Sequence, residues 1–144
     1  MQIIPIAADH AGYELKTFLI TELSNKGWLF KDFGTHDTTS MDYPDVVHPL
    51  AVSIEDKTFE KGILICGSAQ GVAITANHHQ GIRAAVCWRN EIASLARQHN
   101  DANIICLPAR FITPQDALQM VETFFSTAFE GGRHQNRVNK MKVC

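Results

Sequence analysis

The chain has 144 residues, 45% of them hydrophobic, and a formal net charge of -2 at pH 7. A chain of this length builds one hydrophobic core, so we predict a single domain spanning residues 1–144. The balanced charge argues against a nucleic-acid partner, because such proteins neutralise phosphates with clustered Lys and Arg. No apolar run approaches the ~20 residues of a membrane span, and the N-terminus lacks the basic start of a signal peptide. We therefore expect a cytoplasmic protein with no membrane partner.

The cysteines and the paired histidines give no sign of a metal or a disulfide. The chain contains four cysteines: Cys66, Cys87, Cys106 and Cys144. They show neither the CxxC spacing of a zinc site nor the density of a disulfide scaffold, so we predict free thiols. His78 and His79 are neighbours on a predicted helix and point in different directions, which disfavours a shared ion. We predict no metal site and no cofactor.

Five short apolar runs, taken in chain order, are typical of strands because each is too brief for a helix. They are Ile3–Ala8, Trp28–Phe33, Gly62–Cys66, Arg83–Cys87 and Asn103–Leu107. Segments with helical spacing lie between them. In the first, Leu15, Phe18, Leu19 and Leu23 form one apolar stripe that ends before Gly27. This alternation predicts an α/β fold with a parallel sheet covered on both faces.

Two further helices are predicted near the C-terminus. Thr113 offers an N-cap and Pro114 stands at the first helical position, so a helix is expected to begin there. The last segment, from Gly131 to Cys144, predicts a helix too polar for the core. We expect this helix to reach toward a partner subunit.

Polar residues stand close to the ends of three predicted strands. Asp9 and His10 follow the first strand, Cys66 ends the third, and the run His-Asn-Asp at 99–101 shortly precedes the fifth. In an open parallel sheet, ligands bind beyond the carboxyl ends of the strands. We expect these residues to face one crevice.

The segment GILICGSAQGVAI at residues 62–74 passes from a buried strand through a turn into a helix. The turn exposes backbone N–H groups at a helix N-terminus, which is a site for an anion. The anion could be a nucleotide phosphate or an enediolate oxygen, and the loop alone does not choose between them. It lacks the glycine pattern GxGxxG and the P-loop lysine, which disfavours a nucleotide.

Two residues near this turn each allow two interpretations. Cys66 is either a buried core thiol or a base whose thiolate the helix N-terminus stabilises. His99 is either a polar residue that closes a helix or an acid–base group.

Arginines offer a place for a phosphate group. Arg133 and Arg137 are one helical turn apart, so both guanidinium groups can reach one anion. Arg110, after the fifth predicted strand, is a third candidate. The alternative for the first pair is a solvated basic face shared with Lys140 and Lys142.

Five motifs occur together in this chain. They are Ala8-Asp9-His10-Ala11-Gly12, Asp42-Tyr43-Pro44-Asp45, the strand and turn from Gly62 to Ser68, the run RQHNDAN at 97–103, and Glu130-Gly131-Gly132-Arg133-His134 with Arg137. In this combination the chain resembles the ribose-5-phosphate isomerase B family, which also includes the galactose-6-phosphate isomerase subunits. The likeness spans nearly the whole chain.

The resemblance implies a Rossmann-like three-layer α/β/α sandwich with a five-stranded parallel sheet. It also implies a homodimer, with further association to a tetramer left open, whose active sites draw residues from both subunits and whose C-terminal helix packs on the neighbour. The implied activity is that of an aldose–ketose isomerase of the pentose phosphate pathway. It would interconvert ribose 5-phosphate and ribulose 5-phosphate through an enediolate, without a cofactor.

The resemblance also implies residue roles. Cys66 would be the base that moves a proton between C1 and C2, and Ser68 would help move the hydroxyl protons. His99, assisted by Asp9, would be the acid that opens the sugar ring. The enediolate would be held by the backbone amides of Gly67, Ser68, Ala69, Gln70 and Gly71. Substrate would be positioned by His10, Tyr43 and Asn100, and its phosphate by Arg110, Arg133 and Arg137.

One position departs from the family pattern, because Ala69 stands where members commonly have glycine. If this position needs a positive φ, alanine strains the loop or redirects an amide. Three alternatives therefore stay open: an isomerase of allose or galactose 6-phosphate, a non-catalytic sugar-phosphate sensor, and a nucleotide-binding regulatory module.

Overall fold

A computed structural model describes residues 2–143, which form alternating strands and helices. The strands are β1 (Ile3–Ala8), β2 (Leu29–Asp32), β3 (Gly62–Cys66), β4 (Ala84–Val86) and β5 (Ile104–Pro108). The helices are α1 (Tyr13–Ser24), α2 (Pro44–Glu55), α3 (Gln70–Asn77), α4 (Asn90–Asn100), α5 (Pro114–Ser126) and α6 (Arg133–Asn139). Among these residues no helix has the length and hydropathy needed to cross a bilayer.

The five strands form one parallel sheet in the order β2-β1-β3-β5-β4. The predicted α/β fold with a five-stranded parallel sheet is therefore confirmed. Three strand boundaries differ from the prediction, each by one residue at an end. Sheet pairing decides these ends, and local hydrophobicity does not resolve them.

Apolar side chains cover both faces of the sheet. In β3, Ile63 and Ile65 pack with α1, α4 and α5, whereas Leu64 and Cys66 pack with α2 and α3. Successive side chains of a strand point to opposite faces, so a fully apolar strand indicates a sheet buried on both sides. This is the three-layer arrangement that the resemblance implied.

The first turn of the chain packs closely on β3. A Cβ atom at Gly12 would lie 2.6 Å from Ile65 Cγ2 and 2.9 Å from the Ile65 carbonyl oxygen. Only glycine allows this approach. The Asp9 carboxylate accepts the Gly12 N–H at 3.0 Å, which closes the turn. Asp9 and its neighbours are thereby held beside the end of β3.

The C-terminal helix is shorter than predicted. We expected it from Gly131 to Cys144, whereas α6 ends at Asn139 and Cys144 lies outside the described residues. His134 and Val138 of this helix are buried within their own chain, beside α4. The helix therefore contributes to its own subunit's core despite its polar sequence.

A buried lysine fixes the loop that follows β2. Lys16 is only 1% exposed, and its ammonium group lies 2.7 Å from Asp32 Oδ1 and also donates to the Thr35 carbonyl. Asp32 in turn accepts the Gly34 N–H at 2.8 Å. A charge that is buried this deeply depends on its partners, because it has lost its water.

We expect Asp32→Asn to lower the free energy of unfolding by about 3 kcal/mol, because it leaves the Lys16 ammonium buried without a counter-charge. Urea denaturation followed by circular dichroism measures this change. The control is Glu122→Gln, which breaks an exposed pair with Lys26 and should cost at most about 1 kcal/mol. Equal, small effects of the two substitutions would contradict the assignment.

Candidate active site

A cavity of about 910 Å³ opens at the carboxyl edge of the sheet, where the strands end. Eight of the predicted site residues line it: Asp9, His10, Tyr43, Cys66, Gly67, Ser68, Gly71 and Arg110. They come from the turns after β1, β3 and β5 and from the start of α2. Sequence reasoning missed Met41 and Phe111, which also line the cavity. Both are apolar and carry no chemical signature.

The turn after β1 presents two polar side chains to this cavity. Asp9 is 7% exposed and uses Oδ1 to accept the Gly12 N–H. The Met41 N–H donates to His10 Nδ1 at 3.3 Å. In the neutral ring the proton therefore sits on Nε2, because each ring nitrogen either donates or accepts. His10 can donate a hydrogen bond to a ligand.

Two glycines allow other side chains to lie directly on the turn after β3. A Cβ atom at Gly71 would lie 2.4 Å from Tyr43 Cζ, and one at Gly67 would lie 3.0 Å from Arg110 Nη1. The Arg110 N–H also donates to the Gly67 carbonyl at 3.0 Å. Arg110 is exposed, so this cation is available to an anion at the turn.

The middle of this turn adopts the conformation that its alanine disfavours. Ala69 has φ 65° and ψ -4°, in the left-handed region, and it is fully buried. The left-handed conformation costs a non-glycine residue roughly 1–2 kcal/mol. Gln70 lies outside the cavity, in an adjoining groove, and its N–H approaches Ser68 Oγ at 3.4 Å. Of the predicted turn residues, Ala69 and Gln70 thus offer the cavity no side chain.

The thiols of the described residues differ in their surroundings. Burial raises the pKa of Cys87 to about 12 and that of Cys106 well above its ordinary value. Both therefore stay protonated at neutral pH. Cys66 is nearly as buried, at 5% exposed, yet it lines the cavity. It is the thiol of residues 2–143 that a ligand in this cavity can reach.

The prediction that residues 99–101 face the same crevice is wrong within one chain. His99 and Asn100 occupy the last turn of α4, and Asp101 follows them in the left-handed conformation. The helix runs back against the strand direction and leads into the start of β5, at the amino edge of the sheet. Gly62 pairs with Ile104 there, whereas Cys66 pairs with Pro108 at the carboxyl edge. Four residues of strand separate the two edges, which is roughly 13 Å.

At the amino edge His99 belongs to a second cluster, with Glu130 and His134. The rings of His99 and His134 stack with centroids 4.2 Å apart and planes within 12°. Glu130 Oε1 lies 3.8 Å from His99 Nε2 and 3.6 Å from His134 Nε2. The Glu130 N–H donates to the Gln98 carbonyl at 3.0 Å, which fixes the cluster on α4. Parallel rings do not aim their nitrogens at one point, so this geometry suits a shared carboxylate better than a metal ion.

The two predicted phosphate-binding arginines lie in this second cluster. Burial lowers the pKa of His134, and the charges of His99, Arg133 and Arg137 lower it further against the opposing Glu130. His134 is therefore neutral at neutral pH, beside exposed Arg133 and Arg137. Sequence reasoning named Glu130 and His134 only as part of a motif. Their spacing of four residues on the approach to a helix was the available signal.

The comparisons with known proteins agree with this geometry. A family model described as Ribose/Galactose Isomerase matches residues 4–141. A probable ribose-5-phosphate isomerase B of Mycoplasma pneumoniae is 42% identical over 96% of this chain and 91% of its own. The ribose-5-phosphate isomerase B of Escherichia coli is 37% identical over 96% and 93%.

Solved structures agree equally well. A ribose 5-phosphate isomerase of Thermotoga maritima superposes with a TM-score of 0.96 and 45% identity over 98% of this chain and 97% of its own. Ribose-5-phosphate isomerase B of Mycoplasma genitalium, solved with bound ribulose-5-phosphate, superposes with a TM-score of 0.91 and 38% identity over 96% and 93%. With a family model that matches nearly its full length and close relatives in sequence and structure, the chain belongs to the ribose/galactose isomerase family.

Proposed function

We propose that this protein is an aldose–ketose isomerase that interconverts ribose 5-phosphate and ribulose 5-phosphate. The observation that carries the proposal is the position of Cys66, which lines the cavity at the carboxyl edge beside Asp9, His10 and Arg110. A relative of 38% identity was solved with bound ribulose-5-phosphate, which supports this sugar as the ligand.

The reaction needs one base, a place for an oxyanion and an anchor for the phosphate. The Cys66 thiolate takes the C2 proton and returns it at C1. The enediolate oxygens accept hydrogen bonds from backbone N–H groups of the 67–71 turn, and the Ser68 hydroxyl moves the hydroxyl proton. No step calls for a cofactor.

We infer that a second copy of the chain completes each site. The cavity holds the thiol, whereas His99, Asn100 and the arginines of α6 lie at the opposite edge of the same chain. In a twofold dimer each amino edge can face the other subunit's cavity, which gives two equal sites. Phe111, at the cavity and 75% exposed, offers apolar surface for that contact. His99 would then open the ring, and Arg133 and Arg137 would join Arg110 on the phosphate.

The alternatives differ in what supports them. A hexose 6-phosphate remains the second candidate substrate, because the matching family model includes galactose isomerases. A sensor fits less well, since Cys66, Ser68 and His99 are all present. The nucleotide module has no supporting relative among those above. One domain, a cytoplasmic location and association beyond a dimer stay predictions.

We expect Cys66→Ala to lower kcat for ribose 5-phosphate by at least about a hundredfold, because a general base contributes that much. Turnover is measured as ribulose 5-phosphate formation in the presence of a chelator. Allose 6-phosphate and galactose 6-phosphate serve as competing substrates. Undiminished turnover by Cys66→Ala would remove the thiol from the mechanism, and a faster hexose phosphate would change the substrate.

A second readout checks the thiol without turnover. Iodoacetamide should alkylate Cys66 faster than Cys87 and Cys106, whose raised pKa values keep them protonated. Ribose 5-phosphate should slow the alkylation of Cys66 alone. Peptide mass spectrometry measures both rates, and equal labelling of the three cysteines would contradict the assignment.

Mixing experiments test the two-subunit site. Cys66→Ala and His99→Asn variants, each inactive, should regain about a quarter of wild-type activity after unfolding and refolding together, because half the dimers then hold one intact site. The matched control mixes Cys66→Ala with Ser68→Ala, both on the cavity side, and should recover nothing. Failure of the first mixture to recover activity would show that each site uses one chain.

The buried alanine of the turn gives a further test. We expect Ala69→Gly to raise the free energy of unfolding by up to about 1 kcal/mol, since glycine accepts the left-handed conformation without strain. Because the conformation is already the one glycine would adopt, kcat should stay close to that of the parent. The control is Ala73→Gly in α3, which should destabilise by about 1 kcal/mol. A rise of roughly tenfold in kcat would show that Ala69 misdirects an amide of the oxyanion site.

A further inference from the structure

Three side chains form a hydrogen-bonded chain outside the cavity, on the side of the sheet that α2 and α3 cover. His48 and Glu55 belong to α2, and His79 follows the end of α3. His48 Nδ1 lies 2.7 Å from His79 Nε2, and His79 Nδ1 lies 2.9 Å from Glu55 Oε1. We call this the Glu55–His79–His48 relay.

The direction of the hydrogen bonds follows from the carboxylate. The Gly81 N–H donates to Glu55 Oε2 at 3.0 Å and, with His79, lowers the pKa of Glu55, so this group is ionised at neutral pH. An ionised carboxylate only accepts, so His79 Nδ1 carries a proton and His79 Nε2 keeps its lone pair. His79 Nε2 then accepts the proton of His48 Nδ1. The lone pair of His48 is left on Nε2.

The geometry of the two rings fits a proton between them. Their centroids are 5.0 Å apart and their planes are tilted by 52°, while the facing nitrogens approach to 2.7 Å. The nitrogens therefore lie between the rings, and the rings do not stack. His79 and Glu55 have side chains only 17% and 30% exposed, whereas His48 is exposed. The base and its orienting group are partly shielded, and the outermost imidazole is open to solvent.

We propose that the relay is a second reactive site, in which His48 Nε2 is a nucleophile toward small activated acyl esters. His79 is its general base, and Glu55 orients His79. A nucleophile within hydrogen-bond reach of a base, which a third group orients, is the arrangement that activates nucleophiles in hydrolases. Histidine is one of the side chains that form such covalent intermediates.

The chemistry balances without a further reactant. The lone pair of His48 Nε2 forms a bond to the acyl carbon, and the ester oxygen leaves with the electron pair of the bond that breaks. The Nδ1 proton moves to His79 Nε2, whose positive charge lies beside Glu55. Water then adds its hydroxyl to the acyl carbon and its proton to the imidazole, which releases the carboxylic acid. His79 finally loses its extra proton to solvent.

The site is separate from the isomerase site. None of the three relay residues lines the cavity that contains Cys66. Its activity therefore does not depend on the function proposed above. His78, the exposed neighbour of His79, makes no contact within the relay and provides a matched control.

Site-resolved acylation tests the proposal. Diethyl pyrocarbonate is an activated acyl donor, and its histidine adducts can be mapped by peptide mass spectrometry. At pH 7 we expect His48 to be acylated at least about tenfold faster than the exposed His36 and His78 of the same chain. Glu55→Gln and His79→Gln should reduce the rate at His48 to that of His78. His78→Gln should leave the rate at His48 unchanged.

Turnover provides the second arm. Release of p-nitrophenolate from p-nitrophenyl acetate should fall in His48→Gln and stay unchanged in His78→Gln. Unchanged isomerase activity in each variant shows that the fold is intact. Acylation of His48 no faster than that of His78, or a rate at His48 that Glu55→Gln does not alter, would overturn the proposal.

Discussion

The parallel pairing of β3 with β5 determines where each chemically active side chain can lie. Gly62 is opposite Ile104 at one edge of the sheet, and Cys66 is opposite Pro108 at the other. Parallel strands all end at the same edge, so the turns after β1, β3 and β5 meet around one cavity. The helices that connect parallel strands return to the opposite edge. Residues in their last turns, such as His99, are therefore carried away from that cavity.

This separation explains why one chain holds two half-sites. The carboxyl edge has the thiol and the turn amides, and the amino edge has the stacked imidazoles with the arginines of α6. The proposed dimer joins the two edges across subunits. Oligomerisation is then a condition of activity, since the distance between the edges is fixed by the length of the buried strands.

Close backbone approach is the second constraint on the cavity. Gly12, Gly67 and Gly71 each occupy positions where a Cβ atom would meet Ile65, Arg110 or Tyr43. These contacts hold the three turns together and leave little room for variation. Ala69 marks the one position in the turn where the chain keeps a methyl group in a left-handed conformation, with a modest cost in free energy. The relay on α2 is free of these constraints because it lies on exposed surface.

The sequence by itself determined the α/β fold, the five strands to within a residue at their ends, and most of the polar lining of the cavity. Apolar runs and glycine-rich turns are local signals, and residues that follow strands share one edge by a general rule. Only the tertiary structure decided that His99 lies at the opposite edge from Cys66, that Glu130 and His134 join it, and that His79 meets His48 and not its neighbour His78. These contacts join residues far apart in the chain, and their distances depend on how the helices pack on the sheet.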